Sequence, residues 1–166
     1  MDQKLKKTPP RLDTVFQLDM PPLYLVTLCT LMRRPILACT AVHDAFRSYG
    51  GAGVGLGAAV GRYVIMPDHI HAFVRIVGDM TLSRWVKGMK RQIDGALGAA
   101  GQAQVAVPGC QMQGYWQPGS FDQLLRSSDS YSEKWQYVLQ NPVRSGLVAR
   151  CEDWPYQGEI VAVDRA

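Results

Sequence analysis

Apolar and polar residues follow two different periods along the chain, and these periods predict its helices and strands. Residues 23–30 are rich in β-branched, aromatic and aliphatic side chains, which predicts a strand. Residues 62–66 and 69–76 predict two more strands, separated by Pro67-Asp68, a pair that favours a turn or a bulge. From Thr81 to about Leu97, apolar residues recur at steps of three and four, which indicates a helix with one buried face.

The remaining segments complete an alternating order of elements. Residues 37–49 predict a helix, and residues 115–126 predict a final strand. Ser130 followed by Glu133 is a capping-box pattern, so a last helix is expected to begin near Ser130 and to stop before Pro142. The order predicts an α+β protein with a ferredoxin-like βαββαβ core: an antiparallel sheet, helices on one face and an added C-terminal helix.

Two glycine-containing segments predict connectors with little regular structure. They are residues 50–61 and residues 98–112. The first lacks the Gly-Lys-Ser/Thr ending of a phosphate-binding loop, so no nucleotide cofactor is indicated.

Composition and charge are consistent with one globular domain over residues 1–166. The chain is 47% hydrophobic and 19% charged, and it contains no apolar run of membrane-spanning length. Its N-terminus lacks the apolar core of a signal peptide, which predicts a cytoplasmic protein without a membrane partner. Residues 1–20 are basic and contain prolines, which predicts a flexible arm or a segment lying along phosphates. The four cysteines are scattered, and a zinc cluster built on them is not expected.

A pair of histidines stands out in the strand predicted at residues 69–76. His69 and His71 are two residues apart, so both side chains lie on the same face of that strand. Two imidazoles held in this way form half of a metal site, or a hydrogen-bonded structural pair at the surface of the sheet. Asp68 beside them either orients one imidazole through a hydrogen bond or makes the turn.

Basic and aromatic side chains suggest surfaces for a polyanion. The net charge of +4 is compatible with such a partner, and the helix predicted at residues 81–97 has a basic face. That face either is simply solvated or faces phosphates, and we expect it beside the histidines. Two aromatic residues near residue 115 either stack on unpaired bases or pack in the core. The candidate DNA-binding residues are Arg84, Lys87, Lys90, Arg91, Tyr115 and Trp116.

Tyr137 and Asn141 form the second polar pair of interest. Residues four apart share one face of a helix, so we expect both side chains to point the same way from the last helix. The alternatives are a packing role for Tyr137 and a helix-terminating role for Asn141 before Pro142.

Three strings carry a resemblance to a known family. MPDHIHAFV at residues 66–74, WQPGSFDQLL at 116–125 and YVLQNPVRSGLV at 137–148 resemble, in this order, the REP-associated tyrosine transposases. These are single-tyrosine DNA nucleases with a His–hydrophobic–His (HUH) motif, and the likeness covers roughly residues 20–155.

The resemblance implies both a set of roles and a function. It implies that His69, His71 and Asn141 bind a divalent metal, Mg²⁺ or Mn²⁺, and that Tyr137 is the nucleophile; the residues alone also suit Zn²⁺. The implied activity is a metal-dependent single-stranded DNA endonuclease and strand transferase. It acts at hairpin-forming repeat DNA through a 5′-phosphotyrosine intermediate, as a monomer or a homodimer. The alternatives are a non-catalytic module that binds DNA hairpins and a zinc hydrolase of small molecules.

Overall fold

The computed structural model describes residues 21–109, 113–126 and 128–163, without the side chains of residues 128 and 129. The predicted N-terminal arm, residues 1–20, lies outside this range and stays a prediction. Within the described residues, no helix combines the length and the apolar character that crossing a membrane requires.

One antiparallel sheet of five strands organises the chain. The elements in order are β1 (Leu23–Cys29), α1 (Thr40–Gly53), β2 (Ala58–Ile65), β3 (His69–Ile76), α2 (Leu82–Ala99), β4 (Val105–Ala106), β5 (Gln113–Gly114), β6 (Phe121–Leu125), α3 (Ser128–Leu139), α4 (Asn141–Arg144) and β7 (Gln157–Glu159). The strand order β6-β1-β3-β2-β7 contains the four strands of a ferredoxin-like core, with β7 added at one edge. The predicted fold class is therefore confirmed. Strand β7 was not predicted, because its three residues carry no strand pattern.

The central strand β3 divides the molecule into two sides. Its even-numbered residues, such as Ile70 and Ala72, are buried in the main core with the apolar stripes of α1 and α2. Its odd-numbered residues point to the opposite face, where Phe73 packs in a second cluster with Tyr131 of α3. The two helices of the core therefore cover one face of the sheet, and α3 covers part of the face that carries the histidines.

The predicted flexible connector at residues 50–61 is wrong. Helix α1 continues to Gly53, a short 3₁₀ turn follows, and β2 already begins at Ala58. A Cβ atom on Gly53 would lie 2.7 Å from the carbonyl oxygen of Ala58. At Gly57, which has φ of +89°, the chain turns back. Glycine is needed here because α1 and β2 meet backbone to backbone, not because the segment is loose.

The second predicted connector, residues 98–112, also has some regular structure. Strands β4 and β5 pair into a two-stranded ribbon before the chain returns to the sheet. The last core strand, predicted from residue 115, begins only at Phe121. Gly119, with φ of +71°, lies in the loop that precedes it.

We predict opposite stability effects for two neighbouring glycines of α1. Gly51→Ala adds a methyl group that meets nothing within 4 Å, so it is expected to stabilise the fold by about 0.5–1 kcal/mol through helix propensity. Gly53→Ala is expected to destabilise it by about 1–3 kcal/mol, because the methyl group collides with the backbone at Ala58. Urea unfolding measures both. Equal stabilisation by the two substitutions would contradict the close packing of α1 on β2.

Candidate active site

The histidine pair sits at the turn between β2 and β3, and its geometry begins with Asp68. Nδ1 of His69 lies 2.7 Å from Oδ1 of Asp68. An ionised carboxylate only accepts hydrogen bonds, so Nδ1 of His69 carries the proton and Nε2 keeps a free lone pair. Burial lowers the pKa of His69, although the hydrogen bond and charge of Asp68 oppose this shift. An imidazole ligand oriented by a carboxylate is a common arrangement in metal sites.

His71 is held from the neighbouring strand by a side chain without charge. Its Nδ1 lies 2.9 Å from Oγ1 of Thr27, the residue directly opposite it on β1. When the Thr27 hydroxyl accepts this hydrogen bond, Nε2 of His71 is also free to bind a metal. The two imidazole rings are 4.8 Å apart between centroids and nearly perpendicular. Burial, together with the charges of His69, Arg33 and Arg144, lowers the pKa of His71 to about 3, so the ring is neutral at physiological pH.

Arg33 closes the other side of the pair, and the sequence analysis missed it. Its Nε lies 2.7 Å from Oδ2 of Asp68, and its Nη1 donates to Sγ of Cys29 at 3.0 Å. Met32 and Arg33 both have positive φ, a conformation that costs non-glycine residues free energy. The turn therefore holds a cation beside the histidines at some cost in backbone strain. No local sequence signal identifies Arg33, because its partner Asp68 is distant along the chain.

Helix α3 brings Tyr137 to the same end of the same face. The ring of Tyr131, near the start of α3, packs 4.6 Å from the ring of Phe73. Near the end of α3, Val138 is buried in one cluster with Val64, and Val64 pairs with His71 across β2 and β3. Tyr137, next to Val138, is 62% exposed. The Tyr137 side chain therefore lies outside the packed interior. Helix α3 itself packs on the sheet of the same chain, through Tyr131 and Val138.

Arg144 contacts both Tyr137 and Asn141, and its charge acts on His71. Its guanidinium lies 4.1 Å from the centroid of the Tyr137 ring and donates to the Tyr137 carbonyl oxygen at 2.7 Å. The same Nη2 atom donates to Oδ1 of Asn141. The charge of Arg144 also contributes to the lowered pKa of His71. Arg144 follows Tyr137 by seven residues, a two-turn spacing that could have drawn attention to it.

The structure corrects one detail of the predicted tyrosine helix. Tyr137 and Asn141 were expected on a single helix, but α3 ends at Leu139 and Asn141 is the first residue of α4. Pro142 occupies the first turn of α4, where its missing N–H group is tolerated. The two side chains are linked through Arg144 rather than through an unbroken helical face.

The available donors fit a metal of mixed nitrogen and oxygen preference. Among the described residues, no group of three or more His, Cys, Asp and Glu side chains is arranged to hold a metal ion. A metal bound by Nε2 of His69 and of His71 would therefore need an oxygen donor of another kind, and Oδ1 of Asn141 has a second lone pair beyond the bond from Arg144. Imidazole with amide, water and phosphate oxygens suits Mn²⁺, and Mg²⁺ to a lesser degree.

Tyr115 and Lys90 were predicted to contact DNA, but neither side chain is free to do so. Tyr115 is 5% exposed, and its hydroxyl donates to the carbonyl oxygen of Gln102, so it packs in the core. Lys90 donates to the carbonyl oxygens of Gln117 and Gly119 at 2.9 and 2.5 Å, and burial lowers its pKa. Both residues hold the segment before β6 in place.

The other predicted DNA-binding residues are only partly available. Trp116 is half-buried, and its Nε1 donates to Asp94 at 2.6 Å. Arg84, Lys87 and Arg91 are exposed, but α2 packs behind the sheet, on the face opposite to His69 and His71. The expectation that the basic helix lies beside the histidines is therefore wrong, since alternation along β3 separates the two faces.

Comparison with known proteins identifies a relative. No protein-family model matches the chain. Over 99 residues, it is 26% identical to a REP-associated tyrosine transposase of Escherichia coli (strain K12), covering 58% of this chain and 52% of the relative. The chain is similar to a REP-associated tyrosine transposase. The resemblance inferred from the three strings is thereby confirmed, although the chain spans only about half the length of this curated relative.

A solved structure shares the fold of this chain. A solved structure of the REP-associated tyrosine transposase bound to a REP hairpin superposes with a TM-score of 0.63 and 21% sequence identity. The match covers 83% of this chain and 76% of that one. At this level of identity the superposition establishes a shared fold, while the roles of individual residues rest on the geometry above.

We predict that His71 stays neutral well below the usual pKa of histidine. Its pKa of about 3 in the folded chain compares with about 6.5 in an unfolded one, so the unfolded state takes up the proton first. The contribution to stability is therefore complete above about pH 6.5 and is lost as the pH falls through this window. Nuclear magnetic resonance of the imidazoles in EDTA, with His71→Asn for assignment, should show no titration of His71 between neutral pH and about pH 5. Titration near pH 6.5 would contradict the buried geometry.

Proposed function

We propose that the chain is a transposase-like DNA nicking and joining enzyme: a metal-dependent endonuclease and strand transferase for single-stranded, hairpin-forming DNA. Its intermediate would be a 5′-phosphotyrosine on Tyr137. The proposal is supported by the similarity to a REP-associated tyrosine transposase and by a fold shared with one bound to a REP hairpin. The whole relative is longer than the matching region, so activity and substrate are inferred rather than transferred.

One observation carries the proposal: an exposed phenol and two histidines with lowered pKa values lie on the same side of the sheet, with Arg144 against the phenol ring. Arg144 stacks on Tyr137 and bonds Asn141, and its charge contributes to the pKa of His71. A structural histidine pair alone would not need an exposed tyrosine and a cation at the same end of the sheet. The proposed metal-dependent tyrosine nuclease uses all of them.

The proposed metal ligands are Nε2 of His69, Nε2 of His71 and Oδ1 of Asn141. When bound, a divalent cation offsets the charge of the scissile phosphate and orients it for attack. Asp68 and Thr27 hold the two imidazole rings by their Nδ1 atoms, so both Nε2 atoms would serve as the metal ligands. The low pKa of His71 supports a role as a ligand rather than as a proton carrier.

The proposed chemical step is an in-line displacement at phosphorus. The phenolic proton of Tyr137 passes to solvent, and its oxygen forms a bond to phosphorus while the bond from phosphorus to the 3′-oxygen breaks. The departing oxygen takes up a proton and becomes a 3′-hydroxyl. In the joining step, a 3′-hydroxyl attacks the phosphorus of the phosphotyrosine and loses its proton. The bond from phosphorus to the tyrosine oxygen breaks, and that oxygen takes up a proton to restore the phenol. The phosphoester energy is retained throughout, so no nucleotide cofactor is required.

The two arginines supply positive charge around this reaction. Arg144 places a cation against the ring of Tyr137 and fixes the amide of Asn141. Arg33, half-exposed beside Asp68, is available to the phosphate backbone while it keeps the Asp68 carboxylate in place. Fixed cations at the position where charge develops lower the barrier without reorganisation during the reaction.

We predict that Tyr137→Phe abolishes a covalent protein–DNA adduct without weakening DNA binding. The substrate is a labelled pool of hairpin oligonucleotides with randomised single-stranded flanks, incubated with Mn²⁺ and separated on a denaturing gel. The wild-type chain is expected to form an adduct that survives denaturation, because the phosphotyrosine bond is covalent.

The matched control for this experiment is Tyr49→Phe, since Tyr49 lies on α1 behind the sheet and its hydroxyl donates a long hydrogen bond, 3.5 Å, to the carbonyl oxygen of Trp85. This variant is expected to form the adduct at the wild-type level. An adduct formed equally by Tyr137→Phe would contradict the proposed nucleophile. DNA binding without an adduct from the wild-type chain would favour a non-catalytic binding module.

We predict that Asp68→Asn lowers Mn²⁺ affinity about 10- to 100-fold, because the carboxylate that orients His69 is lost. Electron paramagnetic resonance of free Mn²⁺ measures this binding without any substrate. The control is Asp122→Asn, which removes an exposed carboxylate on the edge strand β6. Equal Mn²⁺ affinity of all three proteins would show that the histidine pair is not the metal site.

A further inference from the structure

The side chain of Phe121 is an exposed aromatic group on the histidine face of the sheet. It begins β6, the edge strand, and is 68% exposed. A single exposed apolar residue is ordinary on a protein surface and needs no special explanation. The position of Phe121 relative to the candidate active site is what gives this one a meaning.

Strand register puts Phe121 in one row with the metal-binding histidine. Phe121 is directly opposite Thr27 on β1, and Thr27 is directly opposite His71 on β3. Directly opposed residues in antiparallel strands project from the same face. The row from His71 to Phe121 therefore crosses two strand spacings, about 10 Å, with the half-buried Thr27 between them.

Helix α3 leaves this end of the face open. Along β6, Leu125 is buried under Tyr131, while Gln123 and Phe121, on the same face, are exposed. Gln123 and Phe121 therefore form an uncovered strip of the sheet. This strip begins where α3 no longer covers the face and continues toward the histidines. Strand β6 is also fixed at this end, because Lys90 holds the preceding loop through Gln117 and Gly119.

The chemistry around the strip fits a nucleotide better than an apolar partner. The cations Arg33 and Arg144 stand beside the histidine pair, where a phosphate would lie, and both are solvent-accessible. An aromatic ring at one end and cations at the other match the two parts of a nucleotide, since unpaired bases stack on aromatic side chains in a sequence-tolerant way. Tyr115 and Trp116 do not provide such a ring, because they are packed and hydrogen-bonded.

We propose that Phe121 is a stacking platform for an unpaired base of the DNA strand that crosses the histidine site. This inference rests on the proposed function for the identity of the ligand, single-stranded DNA. It does not require that Tyr137 cleave that DNA. The ring holds the base adjacent to the scissile phosphate and so fixes the register of the strand without selecting which base it is.

The test uses the full wild-type chain in EDTA, where no cleavage interferes, and oligothymidine as the probe. One thymidine at a time is replaced by 5-iododeoxyuridine, and the complex with the protein is irradiated. The cross-linked peptide is then sequenced by mass spectrometry. Affinity is measured by fluorescence anisotropy of labelled oligothymidine. We expect a cross-link at Phe121 and, for Phe121→Ala, an affinity reduced roughly tenfold. Phe121→Tyr and Phe121→Trp are expected to retain wild-type affinity.

Leu56→Ala is the matched control, because Leu56 is 66% exposed and lies after α1, away from the histidine face. Unchanged affinity in Phe121→Ala, or cross-links that never map to Phe121, would overturn the proposal. A change in sedimentation without a change in affinity would overturn it too, assigning Phe121 to contacts between copies of the chain. A cross-link at Phe121 without any Tyr137 adduct would leave the stacking intact and defeat only the proposed chemistry.

Discussion

Alternation of side chains along the central strand is the constraint on which the molecule depends. Strand β3 is paired on both sides, so its register is set by β1 and β2 over its whole length. One set of its residues, including Ile70 and Ala72, must enter the core under α1 and α2. His69 and His71 are consequently committed to the other face. A slip of one residue would bury both imidazoles in an apolar core and expose that core to water.

The second face is built by packing and charge together. Phe73, on the same side of β3 as the histidines, anchors Tyr131, and Val138 settles against Val64 beside His71. This apolar contact fixes the end of α3, so Tyr137 reaches the histidine end of the sheet without being buried itself. Polar contacts then complete the arrangement, since Arg144 holds the tyrosine and Asn141 together. Under the proposed function, a site with this much fixed structure would need little reorganisation to receive a phosphate.

Local pattern predicted most of the fold and drew attention to part of the candidate site. The four core strands, the helix capped by Thr81 and the ferredoxin-like order follow from periodicity, and the histidine pair from its spacing. Contacts between distant segments were beyond its reach. Arg33 and Thr27 meet the histidines only through tertiary pairing, and Tyr115 looked available because its burial depends on a carbonyl 13 residues away. The glycines of α1 were mistaken for flexibility, because composition does not distinguish a loose segment from a close backbone approach.

The central claim is that the imidazole pair and the Tyr137 phenol share one cleft in a single chain. Fluorine nuclear magnetic resonance of the protein labelled with 3-fluorotyrosine tests it directly, because bound Mn²⁺ broadens the signals of nearby nuclei. The account predicts that substoichiometric Mn²⁺ removes the Tyr137 resonance first, while that of Tyr49, behind the sheet, stays sharp. A Tyr137 resonance that remains sharp while His69 and His71 bind Mn²⁺ would contradict it.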